Sequence, residues 1–426
     1  MKLRQYAEDW PAHKWERRLL KHSRRMRFLF YSHDGLGLGH TRRHLAVASA
    51  LAREAPDAVI LLATGAEEFI RHGLPRQIEI LKLPGLQKLG NDNYASRRLA
   101  ISTVEIRELR SQLLLTAVKC FQPDVVLVDK HPFGAGGEFK AGLKQLRKQG
   151  GRTVLGFRDI LDEPAAVLAE WKPFKMQKRI AEFYDHVIIY GDAAVFNPIA
   201  AYKFPPALAD RTRFCGYVFN HEHKDALENF DTPFPPRAER KRPVVLATMG
   251  GGEDGARALE DFIHASENAG WQGVAVAGPM LPDAELARLQ LLAAKVGVTL
   301  RSYVPHLSAL FTRVDALVCM GGYNTLVEAA ALGVPTVCIP RITPRTEQLI
   351  RAEAFARLGL LQVCRPDEIT PAKLRDQIGT VLRNVPGELI ARAHGALNFN
   401  GAQQAAEYLH WLAADRQVRS LRAVAA

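Results

Sequence analysis

Residues 315–330 read Asp-Ala-Leu-Val-Cys-Met-Gly-Gly-Tyr-Asn-Thr-Leu-Val-Glu-Ala-Ala. An apolar run that ends in Gly-Gly and continues as a helical pattern is a strand, a tight turn and a helix. Backbone N–H groups at Gly321, Gly322 and the following residues then point off the helix N-terminus, where the macrodipole favours negative charge, so the turn predicts a phosphate cradle. Asn324 or Thr325 adds a side-chain donor. Glu328 lies one turn on, on the same face, where a carboxylate can accept two ribose hydroxyls. Read blandly, the same residues are a plain tight turn and a favourable first-turn acid, and spacing alone does not choose between the two.

The pattern repeats on both sides of this stretch. Val244 to Thr248 is an apolar run followed by Met249-Gly250-Gly251-Gly252 and a helical pattern, and strands are expected at 274–277, 298–300 and 336–339. Near the front, residues 27–31 form an apolar run followed by Gly35-Leu36-Gly37-Leu38-Gly39-His40 and a helix to about Arg53, with further strands at 59–64, 124–129, 153–157 and 186–190. Short apolar strands alternating with helices mean parallel sheets covered on both faces. Charges and prolines at 219–243 break the rhythm as a linker does. The expected class is α/β, with two Rossmann-like doubly wound domains facing a cleft: a basic segment 1–26, an N-terminal domain 27–218, a linker 219–242, a C-terminal domain 243–398 and a terminal helix or tail 399–426.

Composition bounds the rest. The 426 residues, 47% of them hydrophobic, suffice for two real cores, and no apolar run approaches the length that spans a bilayer. Five cysteines without a C-x-x-C pair suit reduced core thiols in a cytoplasm, and the charged N-terminus lacks the apolar core of a signal peptide. The net charge is +12, with nine Lys or Arg against three acidic residues in positions 1–27. Trp10, Trp15, Leu19, Leu20 and Met26 interleave with those cations, so peripheral contact with an anionic inner leaflet is one reading and a solvated helix the other. No recognised motif for nucleic acid appears.

Several chemistries are excluded. The first glycine turn has His40 where a dinucleotide fingerprint has its third glycine, and the second strand ends at Thr64, not at a ribose-binding acid. No G-x-x-x-x-G-K-[ST] and no D-x-D motif occurs, so neither a P-loop nor a diphosphate-bridging metal is indicated. His40 is the candidate general base, because imidazole titrates near working pH, though a helix-start His bonded to local backbone is the plain alternative. Arg42 and Arg43 are candidate anion binders. Asp159 and Asp162, just past a strand, are alternative bases.

The segment from Val304 to about Leu360 carries Pro305, Gly321-Gly322-Tyr323-Asn324-Thr325, Glu328, Gly333-Val334-Pro335, Pro340, Glu347-Gln348 and Gly359. It resembles the C-terminal donor domain of GT-B glycosyltransferases of family 28, nearest to the peptidoglycan N-acetylglucosaminyltransferase group. Gly250-Gly251-Gly252 is similar to that group's second glycine turn, and Gly37, Gly39 and His40 to its acceptor-side loop. The resemblance implies that backbone near Val304 reads the nucleobase, Glu328 holds the ribose, Gly250, Gly251 and Gly321 to Thr325 cradle the diphosphate, and Gln348 meets the donor sugar. It also implies terminal helices that cross back onto the N-terminal domain. Two departures stand out: Met320 replaces an Arg, and Arg351-Ala352 replaces an Asn-Ala pair, with Arg341 and Arg345 as substitute cations. The expected activity is inverting, metal-independent and cofactor-free transfer of an N-acetylhexosamine from a UDP-sugar to a hydroxyl acceptor, which the basic head would make lipid-linked. A nucleotide-sugar hydrolase or epimerase, or a non-catalytic nucleotide-sugar-binding protein, are the alternatives.

Overall fold

The computed structural model describes residues 25–33, 38–66, 74–90, 93–219, 234, 236–305 and 307–425. The basic head up to residue 24, the first-turn residues Gly35, Leu36 and Gly37, and most of the expected linker (220–233 and 235) lie outside the described residues.

The apolar runs form strands. Towards the N-terminus these are β1 (Arg27–Ser32), β2 (Val59–Thr64), β3 (Ile78–Lys82), the hairpin β4 (Leu86–Gly90) and β5 (Asn93–Ser96), β6 (Val125–Asp129), β7 (Arg152–Arg158), β8 (His186–Tyr190) and β9 (Thr212–Phe214). The longer helices among them are α1 (Leu38–Glu54), α2 (Thr103–Phe121), α3 (Lys140–Lys148), α4 (Pro164–Trp171) and α5 (Met176–Phe183). Phe28, Leu29, Phe30 and Tyr31 of β1, and Val125 to Val128 of β6, are fully buried, because a central parallel strand is covered on both faces. The sheet order is β3-β2-β1-β6-β7-β8-β9, and β1 pairs with both β2 and β6 in parallel.

Further along come β10 (Val244–Thr248), α6 (Ala256–Ala265), β11 (Gln272–Val276), α7 (Asp283–Val296), β12 (Thr299–Arg301), β13 (Ala316–Cys319), α8 (Tyr323–Ala331), β14 (Thr336–Cys338), α9 (Glu347–Arg357), β15 (Gln362–Val363), α10 (Pro371–Val381) and α11 (Pro386–Ala396). Their sheet runs β12-β11-β10-β13-β14-β15, parallel throughout. Counted within the sheet this is the doubly wound order 3-2-1-4-5-6, which opens a crevice beyond the carboxyl ends of the two central strands, where the order reverses. In the first sheet the reversal lies between β1 and β6, in the second between β10 and β13.

The chain divides into two compact units, residues 1–156, 178–188 and 403–426 in one and 157–177 and 189–402 in the other. In the first unit α12 (Gly401–Ala425) buries Ala405, Ala406, Leu409, Leu412 and Ala413. Its Arg416 pairs with the buried Asp124 and donates to the carbonyls of Gly150 at 2.8 Å and Gln149 at 2.9 Å. Asp124 also accepts from the N–H of Arg27 at 2.8 Å, so one carboxylate joins the start of β1 to the last helix. Among the described residues no helix is long and apolar enough to cross a membrane.

Candidate functional site

The second unit's reversal point carries two glycine turns. Residues Thr248 to Asp254 after β10, and Met320, Gly322 and Thr325 after β13, line a cavity of about 200 Å³ together with Met280, Arg341 and Gln348. Glycine is required here by close backbone approach. Gly252 has φ +91°, and a Cβ on it would sit 2.5 Å from the Ala277 carbonyl. Gly321 has φ +81°, and its Cβ would meet the Cys338 sulfur at 3.0 Å. Gly322 caps α8, and the first ladder bond runs from Leu326 N–H to the Gly322 carbonyl. The preceding N–H groups at the start of α8 therefore have no intrahelical acceptor, which is the arrangement that binds anions. Arg341 brings a guanidinium to the cavity, held by Asp254 at 3.0 Å, and its backbone N–H donates to the Gln348 side-chain oxygen at 3.1 Å, which orients that amide.

Of the residues expected to hold a nucleotide sugar, Gly250, Gly251, Gly322, Thr325 and Gln348 come together on this cavity, whereas Val304, Gly321, Asn324 and Glu328 do not line it. Glu328 is buried in α8. Met320 does line the cavity, so an apolar side chain stands where the resemblance has a cation. Arg345 takes up Glu170 at 3.0 Å and Asp162 at 3.5 Å and is not among the lining residues.

The first unit's reversal point carries imidazoles. His40, with Gly39 in the first turn of α1, places Nδ1 in a hydrogen bond to Asp129, the last residue of β6. Arg43, one turn on, donates to both oxygens of Asp129 at 2.8 and 3.1 Å. Burial alone would raise this carboxyl, but Arg43 and His40 hold it well below the usual carboxylate range. Asp129 is thus an anion at neutral pH. Arg43, expected to bind a ligand anion, is instead almost fully buried on Asp129, because an unpaired internal carboxylate costs more than a surface cation gains. His33 stacks edge-on against His131 at 4.2 Å and lies 5.1 Å from His40. Burial, and then repulsion from His131, His40 and Lys130, push its proton affinity well down, so His33 stays neutral.

Asp159 and Asp162 have other work. Asp159 is fully buried, takes the Arg351 guanidinium through Nε and Nη2 at 2.8 Å each, and accepts from Tyr217 at 3.3 Å and the Ile160 N–H at 2.8 Å. Asp162 accepts the Thr346 N–H at 2.8 Å. Four donors occupy the oxygens of Asp159, so His40 and Asp162 remain the candidate bases. Sequence reading missed Asp129, His33 and His131. The available signal was position, since Asp129 closes an apolar run and so falls at the carboxyl end of a buried strand.

Residues 251–408 match the glycosyltransferase family 28 C-terminal domain. A UDP-N-acetylglucosamine–N-acetylmuramyl-(pentapeptide) pyrophosphoryl-undecaprenol N-acetylglucosamine transferase of Desulfotalea psychrophila is 25% identical over 374 residues, covering 86% of this chain and 90% of the relative. The Acinetobacter baumannii MurG crystal structure aligns with TM-score 0.55 at 17% identity over 91% of this chain and 99% of its own, and the glycosyltransferase of kitacinnamycin with TM-score 0.63 at 16% identity over 92% and 100%. The fold is that of the GT-B glycosyltransferases, as the resemblance implied.

Proposed function

We propose that this chain, a GT-B-type glycosyltransferase carrying a family 28 C-terminal domain, moves an N-acetylhexosamine from a UDP-sugar to a hydroxyl acceptor, with inversion and without a metal ion. The observation that carries the reading is the cavity between two glycine turns at the β10–β13 reversal, with the start of α8 and Arg341 on its wall. Such a site suits a diphosphate, because backbone N–H groups and a guanidinium neutralise a leaving group whose charge grows as the sugar–oxygen bond breaks. Gln348, its oxygen held by the Arg341 backbone, presents its NH₂ as a donor to sugar hydroxyls.

His40 supplies the other half. In the tautomer that gives Nδ1–H to Asp129, Nε2 carries the lone pair that takes the acceptor's hydroxyl proton as the acceptor oxygen attacks the anomeric carbon. The ionised Asp129 then stabilises the imidazolium, and a single displacement from the opposite face inverts the anomeric centre. The Desulfotalea relative is named for an undecaprenol-linked acceptor, which supports a lipid-linked hydroxyl here and peripheral attachment at the inner face of the membrane through residues 1–26. Deleting that segment should abolish binding to anionic vesicles and leave donor binding intact.

The deciding experiment is thermal stability with UDP, dTDP, GDP, ADP and CMP. At about 100 times Kd a ligand adds roughly 2.7 kcal/mol, a shift of a few degrees. UDP should give that shift, and Arg341→Ala, which takes the guanidinium off the cavity wall, should weaken it. No response to any nucleotide would withdraw the donor site. Sugar release from UDP-N-acetylglucosamine without acceptor would reassign the chain as a hydrolase, and loss of transfer in EDTA would overturn metal independence.

A further inference from the structure

Arg351 is a fully buried cation in α9 and stands where the resemblance has a neutral amide. Two of its nitrogens grip Asp159, and the third, Nη1, donates to the carbonyl of Gly321 at 3.1 Å. Its guanidinium carbon lies 5.7 Å from the Tyr323 ring centroid, and Tyr217 donates to the same carboxylate from another side. Burying two charges gains little net stability over two well-packed apolar side chains, so the pair's distinctive contribution is direction.

The direction concerns one peptide. Gly321–Gly322 has glycine on both sides, so little steric preference opposes a flip of its plane. The plane decides the sign of the charge offered to the cavity. With the Gly321 carbonyl on Arg351, the trans geometry sends the Gly322 N–H the opposite way, and Gly322 is a wall residue of the cavity. Flipped, the same peptide would present a carbonyl oxygen to an anion.

We propose that Arg351, anchored by Asp159, is a positioning residue that locks the Gly321–Gly322 peptide with its N–H towards the donor's diphosphate. The proposal rests on the donor-site reading above. It gives Asp159 a part in donor binding through Arg351, with no contact to substrate.

The test uses the full chain with UDP and uridine as probes, their affinities measured by calorimetry. Asp159→Leu/Arg351→Met removes both charges and keeps apolar bulk, so folding survives where either single change would strand a buried charge. Losing one oriented donor to a charged group should weaken UDP about tenfold and leave uridine unchanged. Gly322→Pro deletes the N–H itself, at a φ of −59° that proline accepts. It should cause the same selective loss, and adding Asp159→Leu/Arg351→Met to it should cost nothing further. Arg351→Lys, which keeps a cation beside Asp159, serves if the double variant fails to fold, and should also lose UDP selectively. An unchanged ratio of UDP to uridine affinity in a folded variant, or an equal loss of both, overturns the proposal while the wild type's UDP binding upholds the donor site. A wild type that binds no UDP overturns both.

Discussion

His40 and His44 lie one turn apart on α1 and use the same ring in opposite ways. His40 is partly exposed and bonded to Asp129, whereas His44 is fully buried against Phe30, with neither ring nitrogen hydrogen-bonded among the described residues, and burial pushes its pKa down to about 4. A folded His44 therefore stays neutral where an unfolded one, titrating near 6.5, takes a proton, so folding stability falls as pH drops from about 6.5 to about 4. His44→Leu should flatten that part of the stability curve, by up to about 3 kcal/mol at its acid end in urea titrations. Asp129 works in a lower window: its depressed carboxyl stabilises the fold above the ordinary carboxylate pKa, and that contribution goes as pH falls through the folded value. Asp129→Asn/Arg43→Met loses the anion behind the base without stranding the buried guanidinium, so kcat should fall by about 10² to 10⁴ with UDP affinity unchanged. Equal losses in both would mean that His40 and Asp129 serve the fold and not the proton transfer.

Glycines at the element scale separate conformational from steric need. Gly250 has φ +63° with nothing within 4 Å of an added Cβ, whereas Gly252 has φ +91° and would drive a Cβ into the Ala277 carbonyl. Gly250→Ala should cost about 1 kcal/mol from its positive φ alone, while Gly252→Ala displaces the turn, costs more and loses UDP binding. Comparable melting temperatures and UDP affinities for the two would contradict this assignment. The central strands were legible because a doubly covered strand must be apolar along its whole length, as Val125 to Val128 and Ala316 to Cys319 are. β9 and β15 escaped because strands of three and two residues carry no period. The β4–β5 hairpin escaped for another reason: Leu86 to Ser96 mixes lysine, glycine and asparagine into a run too polar to read as strand.

At the scale of the whole molecule, what pattern reading cannot reach is pairing across distance. Arg351 meets Asp159 over 192 residues and Arg416 meets Asp124 over 292, and neither partner's neighbourhood announces the other. Both pairs bury a carboxylate, which local composition would have left at the surface. Arg416→Ala leaves Asp124 with a buried charge and strips two backbone carbonyls of their donor, so unfolding should shift down by several degrees; Arg416→Lys should recover part of it. A surface role for Arg416 would show instead as no shift in either variant.

The first unit's dependence on α12 also has a consequence in time. Residues 403–426 leave the ribosome roughly 250 residues after residue 156, tens of seconds later at about 5–20 residues per second. Through that interval the first unit waits without the Arg416 guanidinium at Asp124 and without the buried Leu409 and Leu412 of α12. A premature stop within the final stretch of message would thus spare everything translated in the middle and leave unfinished the part that was begun first.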